Sequence, residues 1–151
     1  MNDSRDVIKT ARSLLTRHEG LRRKPYTCTA GKLTIGIGRN IEDRGLSDDE
    51  IKLLFMNDVL IATRDCESMF ARFGRITPAA RQAALIDMAF NLGRARLAMF
   101  TNMRAAVDRN DWETAAAEAE NSKWYHDVGG KPGQRGWRIV HILRHGILPK
   151  E

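Results

Sequence analysis

The sequence predicts an α+β fold in which a small β-hairpin lobe is joined by a long helix to a mostly helical lobe. Three observations carry this prediction: helical periodicity over most of the chain, its loss between Pro25 and Leu46, and its return behind a capping pattern at Ser47. At 151 residues the chain suits one compact domain that buries about two-thirds of its unfolded surface, and is too short for two full-sized ones. Within that single domain, 13–58 reads as the hairpin lobe with the start of the connecting helix, and 1–12 with 59–151 as the helical lobe.

The first helix is expected over "SRDVIKTARSLLTRHEG", where Val7, Ile8, Ala11, Leu14 and Leu15 recur at three- and four-residue steps and Gly20 supplies the stop. Beyond Pro25 the sequence turns to Tyr, Thr, Ile and Gly, with Ala30-Gly31 as a turn candidate between two short strands. "SDDEIKLLFMNDVLIATRDCESMF" then opens with Ser47 and Glu50 at capping-box spacing and carries Ile51, Leu54, Phe55 and Leu60 as a helical stripe. "TPAARQAALIDMAFNLG" reads as a helix with Thr77 as cap, Pro78 in the first turn and Gly93 as the stop; its Ala84, Leu85, Met88, Ala89 and Leu92 face should be buried. Further helices are expected over Thr101 to Arg109, over Asp111 to Asn121 and through "QRGWRIVHILRHG", after the loop "HDVGGKPG". There is no internal repeat, low-complexity tract or flexible linker.

Apolar residues make up 42% and charged residues 29%, values of a globular chain that argue against wholesale disorder. A net charge of +6 favours an anionic partner without choosing among nucleic acid, a lipid surface and an acidic wall polymer. Cys28 and Cys66 are too few for a disulfide scaffold and are expected as free thiols in a reducing compartment. The first twenty residues hold no apolar run suited to a signal peptide or membrane span, so synthesis and retention in the cytoplasm are expected.

Chemistry concentrates in "HEGLRRKPYTCTAGKLTIGIGRN". Glu19 falls in the last turn of the first helix, where the negative end of the helix dipole disfavours the ionised carboxyl and so suits a proton donor. An isolated glutamate at a helix end is ordinarily just solvated. In "TIGIG" the isoleucines alternate with Thr34, Gly36 and Gly38, leaving one nearly bare face that admits a sugar ring or another backbone, or that simply serves packing or a bulge. Hairpin parity sharpens the alternatives. A two-residue Ala30-Gly31 turn pairs Cys28 with Leu33 and puts Cys28 and Thr34 on opposite faces; a three-residue loop, Thr29 to Gly31, pairs Cys28 with Lys32 and puts them on the same face. A shared catalytic face needs the odd-numbered or a longer irregular loop.

The spacing of Glu19, eight residues, Cys28, five residues, Thr34, set in "HEGLRRKPYTCTAGKLTIGIG", resembles the tailed-phage lysozymes of the T-even type, the endolysin muramidases of glycoside hydrolase family 24. "AFNLG", the Phe100 segment, "DWETAAAE", "KWY" and a Gln-Arg pair before the last helix extend the resemblance over nearly the whole chain. It implies a lysozyme-like fold and hydrolysis of the β-1,4 bond between N-acetylmuramic acid and N-acetylglucosamine in peptidoglycan, without a cofactor or metal. By the same resemblance Glu19 protonates the leaving oxygen and Thr34 holds the attacking water, while Tyr26, Asn91 and Trp124 line or support the cleft. Each of these last three could equally be a core or lobe-packing residue. Arg135 matches an arginine near the catalytic glutamate, which it would draw toward the charged form. The expected partner is peptidoglycan, acted on by a monomer from the periplasmic side once a holin has permeabilised the membrane; nucleic acid is not expected.

Three features depart from the family pattern. Cys28 stands where Asp is usual, which leaves its role open among thiolate base, electrostatic stabiliser and covalent nucleophile, with inversion favoured over retention. Only "RNIEDRGL" separates the "TIGIG" strand from Ser47, so a small hairpin lobe and a more open cleft are expected. Arg39 replaces a common His and is expected to remove a lobe-stabilising ion pair. Competing readings are a catalytically silent wall-binding relative, favoured by Cys28, and a basic nucleic-acid-binding protein, whose second helical segment "RARLAMF" lacks a row of base-reading side chains. "WRIVHILRHGIL" is amphipathic and reads as a core-packing final helix in preference to a membrane-disturbing one. His141 and His145 stand four apart with no acidic or thiol third ligand in sequence, so no metal is expected.

Overall fold

The computed structural model describes residues 4–150; the ends of the outer lobe boundaries, 1–3 and 151, lie outside the described residues. It is an α+β, lysozyme-like fold: nine α-helices and one three-stranded antiparallel sheet among the described residues. The chain divides into two compact units, Met1–Lys52 and Leu53–Glu151.

In the first unit α1 (Ser4–Glu19) ends where expected, with Gly20 at φ +69°, a backbone region that glycine enters without the steric cost of a Cβ. No α1 residue is buried, so periodicity identified the helix but not a covering neighbour. Strands β1 (Arg22–Thr27), β2 (Leu33–Gly36) and β3 (Arg39–Asn40) form the sheet in the order β1-β2-β3. Strand β1 starts before Pro25, and the register slips between Arg22 and Tyr26, which places the proline in an irregular stretch where its missing N–H breaks no ladder.

The segment "RNIEDRGL" holds more structure than a connection: after β3 it forms α2 (Ile41–Arg44), capped by the Asn40 side chain, which accepts from the Asp43 N–H at 3.0 Å. Arg39 also corrects an expectation, because the ion pair at this position is supplied anew. Its guanidinium forms a forked pair with the Glu50 carboxylate and donates to the Gly45 carbonyl at 3.1 Å. Glu50 completes the predicted capping box, accepting from the Ser47 N–H at 2.7 Å and the Ser47 hydroxyl at 3.0 Å. The Ser47 bonds, ahead of Arg39, hold the Glu50 carboxyl below its ordinary titration range.

Helix α3 (Asp48–Met69) begins in the first unit and continues in the second. Its predicted stripe is not a buried one: Ile51, Leu54, Phe55 and Leu60 are each about half exposed, and burial begins only at Ala62, Cys66 and Met69. In the second unit, helices α4 (Ala79–Leu92), α6 (Thr101–Asp108), α7 (Trp112–Glu120) and α9 (Arg135–His145) surround one core. Thr77 is not the cap of α4: Pro78, in extended conformation (ψ 168°), takes the N-cap position, and no side chain caps the helix there. The predicted inner face of Ala84, Leu85, Met88 and Ala89 is buried, with Leu92 packed at the edge of the core.

Two short helices, α5 (Arg94–Ala98) and α8 (Lys123–Asp127), were not foreseen. Five residues carry too little periodicity to register, although Ser122, whose hydroxyl accepts from the Tyr125 N–H, is a cap signal for α8. Helix α9 is a core helix, with Ile139, Val140, Ile142 and Leu143 buried, and its last carbonyls are satisfied from α4: Arg81 donates to Leu143 O at 2.9 Å and Arg144 O at 3.0 Å. We expect Leu85→Ala, at a fully buried position, to cost about 2–5 kcal/mol of unfolding free energy by urea titration, and Leu148→Ala, 71% exposed, to stay within about 0.5 kcal/mol.

Candidate active site

The first unit fixes three of the expected side chains through its backbone. The hairpin between β1 and β2 has the odd-numbered loop: the Cys28 N–H donates to the Lys32 carbonyl at 3.0 Å, and the Gly31 N–H donates to the Cys28 carbonyl at 2.9 Å. Gly31 takes φ +78°, the left-handed position that closes a three-residue loop of Thr29, Ala30 and Gly31. With Cys28 opposite Lys32 and Tyr26 opposite Thr34, all four residues lie on one face of the hairpin. The parity that a shared catalytic face requires is therefore the parity observed.

Thr34 is the one buried polar residue recorded among the described residues, 3% exposed, and its hydroxyl donates to the Lys32 carbonyl at 3.0 Å. The Cys28 thiol is held below its ordinary range, chiefly by hydrogen bonding from the Lys32 backbone amide, then by the Thr34 hydroxyl and the Ala30 backbone amide. Each of these bonds favours the thiolate over the thiol. Lys32 is itself steered outward: its ammonium donates to Asp43 at 2.9 Å and Glu42 at 3.3 Å, and the Leu33 N–H donates to Glu42 at 3.0 Å. Helix α2 thus clamps the residue whose carbonyl organises both Cys28 and Thr34.

Glu19, the last residue of α1, lies over Gly38. A Cβ built on Gly38 would stand 3.0 Å from Glu19 Cδ and Oε2 and 3.1 Å from Cγ, so a larger residue there would push the Glu19 carboxyl aside by a few tenths of an ångström. The sequence suggested a bare strand face formed by Thr34, Gly36 and Gly38; instead β2 stops at Gly36 and Ile37-Gly38 is the turn into β3, with Gly36 and Gly38 both near φ +70°. The bareness of Gly38 does serve an approach, but by a carboxylate of this chain. Tyr26 carries the Arg22 guanidinium over its ring at 4.5 Å.

The other three expected site residues belong to the second unit and have partners there. Trp124, nearly buried, donates its indole N–H to Asn91 Oδ1 at 2.8 Å and meets Phe100 edge-on, with ring centroids 6.4 Å apart. These residues line a cavity of about 830 Å³. Arg135 donates from Nε to Asp87 Oδ1 at 2.8 Å, a partner the sequence reading did not single out. Also missed were Gly38 as the seat of Glu19 and the α2 carboxylates on Lys32, whose only signal was "IEDR" following the glycine strand. Both cysteines are free thiols, and burial pushes Cys66 up to about 12.

Comparison with known proteins identifies the family. Residues 16–138 match the family described as Phage lysozyme. The pre-baseplate central spike protein Gp5 of Enterobacteria phage T4 is 32% identical over 89% of this chain, which spans only 28% of that longer protein. Two proteins of Dictyostelium discoideum, described as probable T4-type lysozymes 1 and 2, are 23% and 22% identical, each over 94% of this chain and 98% of their own length. The chain belongs to the phage lysozyme family, a family of muramidase-like peptidoglycan hydrolases.

Two outcomes follow from the site's geometry. Gly38→Ala is expected to push the Glu19 carboxyl aside, read as a changed Glu19 side-chain NMR signal, while the chain stays folded by circular dichroism; an unchanged Glu19 signal would show that the carboxyl does not rest on this contact. Iodoacetamide should modify Cys28 and spare Cys66, with a pH midpoint below the usual thiol value of about 8.5, because the thiolate fraction rises as pH passes the lowered pKa. Removing the Thr34 hydroxyl in Thr34→Val should move that midpoint upward.

Proposed function

We propose that the chain hydrolyses the β-1,4 bond between N-acetylmuramic acid and N-acetylglucosamine in peptidoglycan, with Glu19, Cys28 and Thr34 as catalytic residues. The observation that carries this reading is the three-residue hairpin loop, which sets Cys28 beside the Thr34 hydroxyl on one face. In the proposed reaction the Glu19 carboxyl gives its proton to the glycosidic oxygen as the C1–O bond breaks. A water held by Thr34 attacks C1, and its proton passes to the Cys28 thiolate, so the anomeric configuration inverts. Tyr26, Asn91, Trp124 and Arg135 are the proposed substrate-binding residues, and no cofactor takes part. The anionic wall polymer suits a chain of net charge +6.

In this reading the enzyme acts as a monomer in host lysis, reaching the periplasmic side of the wall from the cytoplasm after a holin opens the membrane. Among the described residues no helix is long and apolar enough to cross a membrane. The test is turbidity clearance. Wild-type chain added to outer-membrane-permeabilised Gram-negative cells should clear them, Glu19→Gln should lose about 10²–10⁴ of that rate, and Cys28→Ser should lose less. Expressed inside intact cells, the wild type should lyse them only when a holin is co-expressed. Wall binding without clearance by the wild type would instead establish a catalytically silent relative.

A further inference from the structure

We propose that His141 and His145 form an exchangeable two-imidazole site for a divalent first-row transition-metal ion, independent of the proposed hydrolysis. The two residues stand one turn apart on α9, and their ring centroids are 4.6 Å apart at a tilt of 54°. Residues four apart share a helix face, so a single ion can take one nitrogen from each ring. His145 is exposed and His141 half-buried, which leaves the outer side of the pair open to solvent and to an entering ion.

The site is pre-formed on its protein side. Ile139, Val140, Ile142 and Leu143 anchor α9 in the core, and the Trp137 ring stacks on His141 with centroids 5.4 Å apart and an interplanar angle of 29°. The nearby Arg144 does not present an unbalanced charge to a cation, since it is paired with Glu113 and Glu120, each at 2.9 Å.

No group of three ligating side chains occurs among the described residues, so water fills the remaining coordination positions. That composition fixes the class of ion. Two imidazoles with no carboxylate favour nickel, copper or zinc over magnesium and calcium, which demand oxygen ligands. It also fixes the character of the site: weak enough to exchange, unlike a closed structural centre.

Nickel is the suitable probe, because it stays divalent and does not oxidise Cys28. Titration of the untagged chain with Ni²⁺ should show one bound ion by calorimetry and quenching of Trp137 fluorescence, since the indole lies against a liganding ring. His141→Gln and His145→Gln should each weaken binding on the order of a hundredfold, the gain that a second tethered ligand provides. Trp137→Phe should keep the binding heat and lose the quenching. His145 is exposed, so its variant folds independently of the outcome, and melting curves without metal confirm this. Binding by His145→Gln equal to wild type, or quenching that survives Trp137→Phe, would place the ion elsewhere and overturn the proposal.

Discussion

The first unit depends on a hydrogen bond between two backbone groups, the Cys28 N–H and the Lys32 carbonyl, closed across a loop of three residues. Strand side chains alternate with a period of two, so one residue more or less in that loop would turn Cys28 away from Thr34. The same Lys32 carbonyl receives the Thr34 hydroxyl, and the Lys32 amide faces the Cys28 sulfur. One peptide neighbourhood therefore determines both the register of the hairpin and the polar environment of its functional face. Gly31 makes this affordable: at φ +78° a residue with a Cβ would be strained by about 1–2 kcal/mol.

Around that closure the remaining parts act as braces. Helix α2 contributes Glu42 and Asp43, which hold the Lys32 ammonium, and Glu42 also accepts the Leu33 N–H. These ion pairs are exposed, where solvent screening leaves them little stabilising effect. Their effect is on position more than on stability, because the backbone of Lys32 and Leu33 is what they restrain. Arg39 and Glu50 brace the opposite side, where Glu50 serves at once as ion-pair partner and as the capping-box acceptor of Ser47. Arg39 is thus a fully partnered cation.

The parts legible in the sequence are those whose physical cause is local. Gly20 and Gly93 as helix stops, the Ser47–Glu50 box and the buried face of α4 each follow from spacing and residue type within a turn or two. Spacing also singled out Glu19, Cys28 and Thr34, and parity reduced their arrangement to the length of one loop. What the sequence left open is what depends on distant neighbours. A periodic stripe identifies the face a helix can bury but not what covers it, and Ile51, Leu54, Phe55 and Leu60 stay about half exposed. Pro78 displaced Thr77 as the cap through its own extended backbone, and Asp87 as the partner of Arg135 lies 48 residues away in sequence. The seat of Glu19 on Gly38 was half legible: the glycine marked a close approach, and only the coordinates named the approaching group.

A thiol in place of a carboxylate changes what the hairpin face must do. An aspartate is ionised at neutral pH without help, whereas a thiol is mostly protonated unless its surroundings favour the anion. Here those surroundings are three donors fixed by the loop itself, the Lys32 and Ala30 amides and the Thr34 hydroxyl. The threonine has one proton to give, and in the neutral state it goes to the Lys32 carbonyl. In the proposed reaction, when the sulfur ionises the hydroxyl can rotate toward it, while its oxygen accepts a hydrogen bond from the attacking water. In the proposed reaction that rotation couples two events, formation of the base and orientation of the nucleophile, through a single C–O bond. A carboxylate, with two acceptor oxygens and a standing charge, would not need the coupling; in the proposed reaction a thiolate does, and the three-residue loop is what sets Cys28 and Thr34 on one face for it.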